Sequence, residues 1–211
     1  MKKTLISKFT ILITIICLSM CTQPLAYASV EANTIKQETT NSKSFSIKNG
    51  EALKLATKLV KGKKIKKNLK KAFKWSANMK YNVISAPKTK KEKEIAEYYG
   101  QLGLQFKHGD CYTQAYTFYW LAKALGYDVK VIRGYIQKSS GLSKHAWCEI
   151  KKKGKKYVCD PNFNTEYSAR LGNPNAGYMF KYGDKSTLKY YSAKKKLMTK
   201  TKDTTLKAGR I

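Results

Sequence analysis

Read for the spacing of its apolar side chains, the chain becomes patterned only after about residue 50. Leu53, Ala56 and Val60 recur at helical intervals, then Ile65, Leu69, Ala72, Phe73 and Ser76 do so again. Gly62 falls between the two runs and predicts a break between two helices. The other face of these segments is lysine, at Lys63, Lys66, Lys67, Lys70, Lys71 and Lys74. It reads as the solvated side of core-packed helices rather than as a membrane-surface helix. Tyr81–Ser85 looks extended until Pro87 ends it, and Ile95, Tyr99 and Leu102 mark a third helix over Glu92–Leu104. A further run follows Asp110, with Ala115, Phe118, Ala122 and Leu125 on one helical face. Asp110 suits the N-cap of that helix and Gly126 its C-terminal stop.

Val129 and Val131 alternate within Asp128–Ile136 and predict a strand. His145–Ile150 and Lys156–Cys159 then read as two arms of a hairpin around a lysine-rich turn, and short strands are expected near Tyr178–Tyr182 and Leu188–Tyr191. Helices first, then a cysteine-bearing helix, then at least three strands predict an α+β fold. No internal repeat is visible.

The pattern also sets the ends apart. Lys2, Lys3 and Lys8 precede an apolar stretch from Phe9 to Met20, too short to span a bilayer comfortably, and Ala26-Tyr27-Ala28 is a small-x-small cleavage signal. Residues 1–28 are therefore expected to be a secretory signal peptide cut after Ala28, giving a secreted or surface-associated protein with no transmembrane segment left. Met20 ahead of Cys21 is a poor fit to lipid modification. Residues 29–49 are polar and lack periodicity, as in a flexible leader. Residues 50–192 form the expected domain, and 193–211 a loose, lysine-rich tail.

Charge adds one thing. The formal charge is +30 over 211 residues, and removal of the three leader lysines leaves +27 on 183 residues. Arg133, Arg170 and Arg210 are the only arginines, so the excess is nearly all lysine. Such a surface attracts polyanions, outside a cell anionic wall polymers or lipid headgroups. No motif for specific nucleic-acid recognition is present.

Three cysteines survive processing: Cys111, Cys148 and Cys159. A helix starting at Asp110 puts Cys111 in its first turn, where the helix dipole and unpaired N–H groups favour thiolate, the nucleophilic form. The same N–H groups could hold an oxyanion. Of the two histidines, His108 lies in a loop with no evident carboxylate. His145 opens a strand. If the hairpin turns at Lys153-Gly154, Cys148 faces Cys159 and Trp147 faces Asp160. Side chains alternate along a strand, so His145 shares a face with Asp160, its diagonal neighbour, and the two cysteines lie on the other face. A carboxylate beside an imidazole fixes its tautomer and stabilises its cation. Cys148 and Cys159 could form a cross-strand disulfide or pack as reduced thiols. His108-x-x-Cys111 and His145-x-x-Cys148 resemble half-sites for zinc, but positions 145 and 148 point opposite ways in a regular strand. A zinc module is the lesser reading; no metal and no cofactor is expected.

Gly109-Asp110-Cys111, a helix ending AKALGYDVKVIRGY, then HAW and YVCDPNF, together resemble the transglutaminase-like family of papain-related thiol enzymes. KAFKWSANMKY upstream is similar to that family's lead-in helix, and the likeness runs from about Ile65 to Phe163. It implies a Cys helix packed on an antiparallel sheet, with Cys111 as nucleophile, His145 as base and Asp160 as its orienter. It also implies action on protein or peptide amides. The family's second oxyanion donor has only Gln105 and Tyr99 as candidates here, and cysteines at 148 and 159 depart from its pattern. A non-catalytic surface module of the same fold, binding anionic wall polymers through lysine, is the alternative.

Overall fold

The computed structural model describes residues 47–184 and 188–199. The expected signal peptide, Cys21, the leader up to Ser46 and the tail beyond Thr199 lie outside the described residues. In chain order the elements are α1 (Glu51–Lys61), α2 (Leu69–Ala77), β1 (Lys80–Tyr81), α3 (Glu92–Phe106), β2 (His108–Gly109) and α4 (Cys111–Ala124). Then come β3 (Asp128–Lys138), β4 (Gly141–Lys152), β5 (Lys155–Cys159), α5 (Pro161–Tyr167), β6 (Tyr178–Phe180) and β7 (Tyr190–Tyr191). Among the described residues no helix is long and apolar enough to cross a membrane.

The fold is α+β, built around α4, which is covered on both sides. Tyr116, Trp120 and Leu121 pack on Ala52, Ala56 and Val60 of α1 and on Ile95 and Tyr99 of α3. Ala115, Phe118 and Ala122 pack on Ala146, Cys148 and Ile150 of β4, joined by Leu69 and Phe73 of α2. Such a helix buries apolar side chains around most of its circumference, unlike a surface helix with one stripe. Each large side chain buried here contributes roughly 1.5–3 kcal/mol. The sheet has strand order β6-β5-β4-β3-β7 and every pairing is antiparallel. Its second face carries Ile136, Trp147, Val158, Phe180, Tyr182 and Tyr190.

The hairpin register agrees with the sequence reading: Cys148 pairs with Cys159 and Lys152 with Lys155. Lys153 (φ 50°) and Gly154 (φ 75°) form the two-residue turn, and two positive φ values match the right-handed twist of the flanking strands.

Other elements differ from expectation. The second helix starts at Leu69, not Ile65, because Lys66 and Lys67 have φ of 49° and 52°. Left-handed residues cannot continue a right-handed helix, and Asn68 caps the new start by accepting from the Lys71 amide at 3.0 Å. Of the expected extended segment Tyr81–Ser85 only Tyr81 is paired, together with Lys80 just before it, parallel to His108–Gly109. Chain from Ala193 to Thr199 turns back on β7, with the Met198 amide on the Tyr190 carbonyl at 2.8 Å and a bridge from Tyr191 to Leu197.

Candidate active site

Cys111 is the first residue of α4 and is half-buried. Asp110 caps the helix: its Oδ1 accepts from the Thr113 amide at 3.0 Å and from the Thr113 hydroxyl at 3.1 Å. Burial raises the Asp110 carboxyl above its usual value despite these donors. The Gln114 amide is taken by the Asp110 carbonyl at 2.9 Å. Thus the cap consumes the later amides of the first turn, while the Cys111 amide has no partner among the described residues. That N–H lies beside its own thiol, at the positive end of the helix.

The imidazole comes from β4 and the carboxylate from the end of β5. His145 Nε2 lies 2.7 Å from Asp160 Oδ2, and the two side chains are 3% and 0% exposed. Asp160 is held twice more, by the Tyr190 hydroxyl on Oδ2 at 2.7 Å and by the Phe163 amide on Oδ1 at 2.9 Å. The second bond makes Asp160 the N-cap of α5, with Pro161 following at the position where a missing N–H costs nothing. Trp147 stacks on the imidazole, centroids 6.1 Å apart, and its Nε1 donates to the Tyr182 hydroxyl at 2.7 Å, which donates to Glu149 at 2.8 Å.

These surroundings decide the charge on His145. Burial alone would push the imidazole down, but the Asp160 carboxylate and then the neighbouring Cys111 thiol outweigh it and lift the group to about 10. With Nε2 facing Asp160, Nδ1 is the ring nitrogen left free of the carboxylate.

The three residues meet by a route that strand alternation alone does not describe. α4 packs on the Cys148 and Cys159 face of the sheet, whereas His145 belongs to the opposite face with Trp147 and Tyr190. β5 ends at Cys159, opposite Cys148, so β4 from Trp147 towards Gly141 has no strand on that side. The chain leaves there as α5, which packs against α4. The N-terminus of α4 reaches His145 at this notch.

Cys148 and Cys159 are free thiols with no exposed surface. The Cys148 thiol donates to the Ala115 carbonyl at 3.2 Å. Burial raises both, Cys148 well above its usual value and Cys159 to about 12. Cys148 therefore points to α4 while His145 points to Asp160, and this spacing does not converge on a metal. Among the described residues no group of three His, Cys, Asp or Glu could hold one. His108 is half-exposed in β2 and meets Phe106 edge-on at 5.9 Å.

Neither sequence-stated oxyanion candidate is placed at the thiol by a hydrogen bond. Tyr99 is buried between the rings of Tyr112 and Tyr116 at 5.7 and 5.6 Å, and Gln105 is exposed near the end of α3. Two residues not foreseen stand closer to the chemistry. Tyr190 comes from the two-residue strand β7, inside the Leu188–Tyr191 stretch expected to be extended, but no motif marked it for the site. Tyr81 is half-exposed and is brought beside Gly109 by β1, with the Asn82 amide on the Gly109 carbonyl at 3.2 Å. Burial, then the neighbouring Cys111 and Asp110, raise its phenol. The sequence placed Tyr81 at the start of an extended segment and at the end of KAFKWSANMKY, without assigning it to the site.

The model of the transglutaminase-like superfamily matches residues 53–161, a span holding Cys111, His145 and Asp160. The chain belongs to that superfamily. Among solved structures it is similar to a candidate cysteine protease from Cytophaga hutchinsonii (20% identity, 55% of this chain, 38% of that one, TM-score 0.38). It is also similar to the periplasmic domain of TgpA from Pseudomonas aeruginosa (17%, 55% and 43%, 0.38) and to a TGase (17%, 62% and 37%, 0.37). The chain spans less than half the length of these structures. No curated protein matches it.

Proposed function

We propose that the protein is an exported thiol enzyme that opens amide bonds of protein or cell-wall peptides through a thioester on Cys111. One observation carries this reading: a buried carboxylate lies 2.7 Å from a buried imidazole, and the thiol at the start of α4 is near enough to that imidazole to raise it further. Export is supported by the lysine-headed apolar leader and its Ala-Tyr-Ala site.

In the first step the Cys111 sulfur, its proton already held on the imidazolium of His145, attacks the amide carbonyl carbon. The carbonyl electron pair moves to oxygen, where the Cys111 amide and the Tyr81 phenol are the donors best placed to meet it. The C–N bond then breaks, the imidazolium proton passes to the departing nitrogen, and ammonia or an amine leaves. Water or a second amine, deprotonated by His145, attacks the thioester and frees the thiol. Asp160 keeps the imidazole in register and offsets its positive charge throughout.

The test is incubation with glutamine-containing peptides and a labelled primary amine, read by mass spectrometry. Hydrolysis adds 1 Da (amide to acid) and transfer adds the amine with loss of ammonia. Both products should vanish in Cys111→Ala, and persistence of either in that variant ends the proposal.

A second property is supported by Lys63, Lys64, Lys66, Lys67, Lys70, Lys71 and Lys74, all exposed around the start of α2: salt-sensitive association with anionic wall polymers.

A further inference from the structure

A groove of about 760 Å³ opens between α3, α4 and β3, within the range of built ligand sites. Its near end is formed by the immediate neighbours of the reactive residues. Tyr112 follows Cys111, Lys144 precedes His145, and Gly134 is the cross-strand partner of His145. One wall is Tyr112, Tyr116 and Tyr119, spaced i, i+4, i+7 on α4; the facing wall is Val129, Val131 and Tyr135, alternate residues of β3. Seven residues of helix rise about 10 Å, the length of about three extended residues.

The charges around this groove are unbalanced. Its one acid, Glu92, is already engaged by the Arg133 guanidinium and the Tyr116 hydroxyl. Lys130 is paired with Glu149 at 3.1 Å. Lys93 and Lys144 are exposed at the groove and have no ion-pair partner among the described residues. Aromatic walls offer flat apolar contact, and two unspent ammonium groups select against cationic chains.

We infer that this groove seats the amide-bearing substrate as an extended acidic peptide, with about three residues lying along the tyrosine wall and their carboxylates on Lys93 and Lys144. The inference rests on Cys111 being the reactive thiol, but its binding arm does not.

Full-length Cys111→Ala protein is titrated into fluorescent peptides of equal length with one glutamine, flanked by glutamates in one and by lysines in the other. The glutamate peptide should bind at least tenfold more tightly. Lys93→Glu with Lys144→Glu should remove at least tenfold of that affinity. Lys151→Glu with Lys155→Glu, the same charge change on exposed lysines of the β4–β5 hairpin outside the groove, should leave most of it. Equal binding of the two peptides overturns the inference, and so does equal loss from the two double variants, since net charge alone would then hold the peptide. In the wild-type protein the glutamate peptide should also slow iodoacetamide labelling of Cys111. If Cys111 does not label at all, the enzyme reading fails while the binding arm still decides the groove.

Discussion

The Tyr190 hydroxyl and Asp160 share a 2.7 Å hydrogen bond on Oδ2, the oxygen that also faces His145. One carboxylate atom thus couples the orientation of the imidazole to a two-residue strand at the far edge of the sheet. Tyr190→Phe removes that donor while keeping the ring against Trp147, 4.8 Å between centroids. A buried acceptor that loses one donor costs about 1–3 kcal/mol. Urea unfolding should detect this loss, and an unchanged midpoint would mean that the hydroxyl does not hold Asp160.

Asp160→Asn should separate charge from shape. The amide oxygen can still cap α5, but it cannot offset an imidazolium. Turnover of any amide substrate is expected to fall by about 10²–10⁴-fold, with the far-ultraviolet spectrum unchanged. Full activity in this variant would remove Asp160 from the mechanism.

The same pair gives a pH dependence of stability. His145 stays protonated in the fold to about 10, against a usual value of 6.5. The folded protein therefore holds a proton that the unfolded chain has lost across that window. The stabilisation is fully present below 6.5 and is lost as pH rises through about 10. Unfolding midpoints at pH 6, 8 and 10 should fall more steeply in the wild type than in Asp160→Asn; parallel slopes would contradict this.

Thiol chemistry should be selective. Burial raises Cys148 and Cys159 and removes them from solvent, whereas Cys111 is half-buried at a helix start. Iodoacetamide at pH 7.5 is expected to modify Cys111 in the native protein, with Cys148 and Cys159 reacting only in denaturant. Peptide mapping distinguishes the three, and native labelling of Cys148 would contradict their burial.

Gly134 sits where β3, β7 and the site converge. A Cβ there would lie 2.2 Å from the Tyr191 carbonyl oxygen and 2.8 Å from Trp147 Cη2. Gly134→Ala should cost about 1–3 kcal/mol through overpacking and loosen β7, which carries Tyr190. A melting temperature equal to wild type would show that β7 has room to move.

Much of this was legible in the sequence because it depends on local rules. Asp110 and Gly126 mark the ends of the cysteine helix, and a Lys153-Gly154 turn fixes the register that sets His145 beside Asp160. What was not legible depends on tertiary closure. The α2 boundary turned on Lys66 and Lys67 adopting left-handed conformations. Tyr190 and Tyr81 lie in stretches expected to be extended, but only the folded chain brings them beside Asp160 and Gly109. Alternation separated His145 from Cys148 correctly, but it did not reveal that α4 covers the Cys148 face and meets His145 only where β5 ends.

The central claim is that Cys111 forms a covalent acyl intermediate with His145 as its base. The most direct measurement is rapid acid quench of the full-length protein with a glutamine peptide, followed by mapping of the adduct. A thioester on Cys111, absent in Cys111→Ala and strongly reduced in His145→Ala, is the predicted result. An active wild-type protein with no acyl group on Cys111, or an adduct formed equally well without His145, would contradict it.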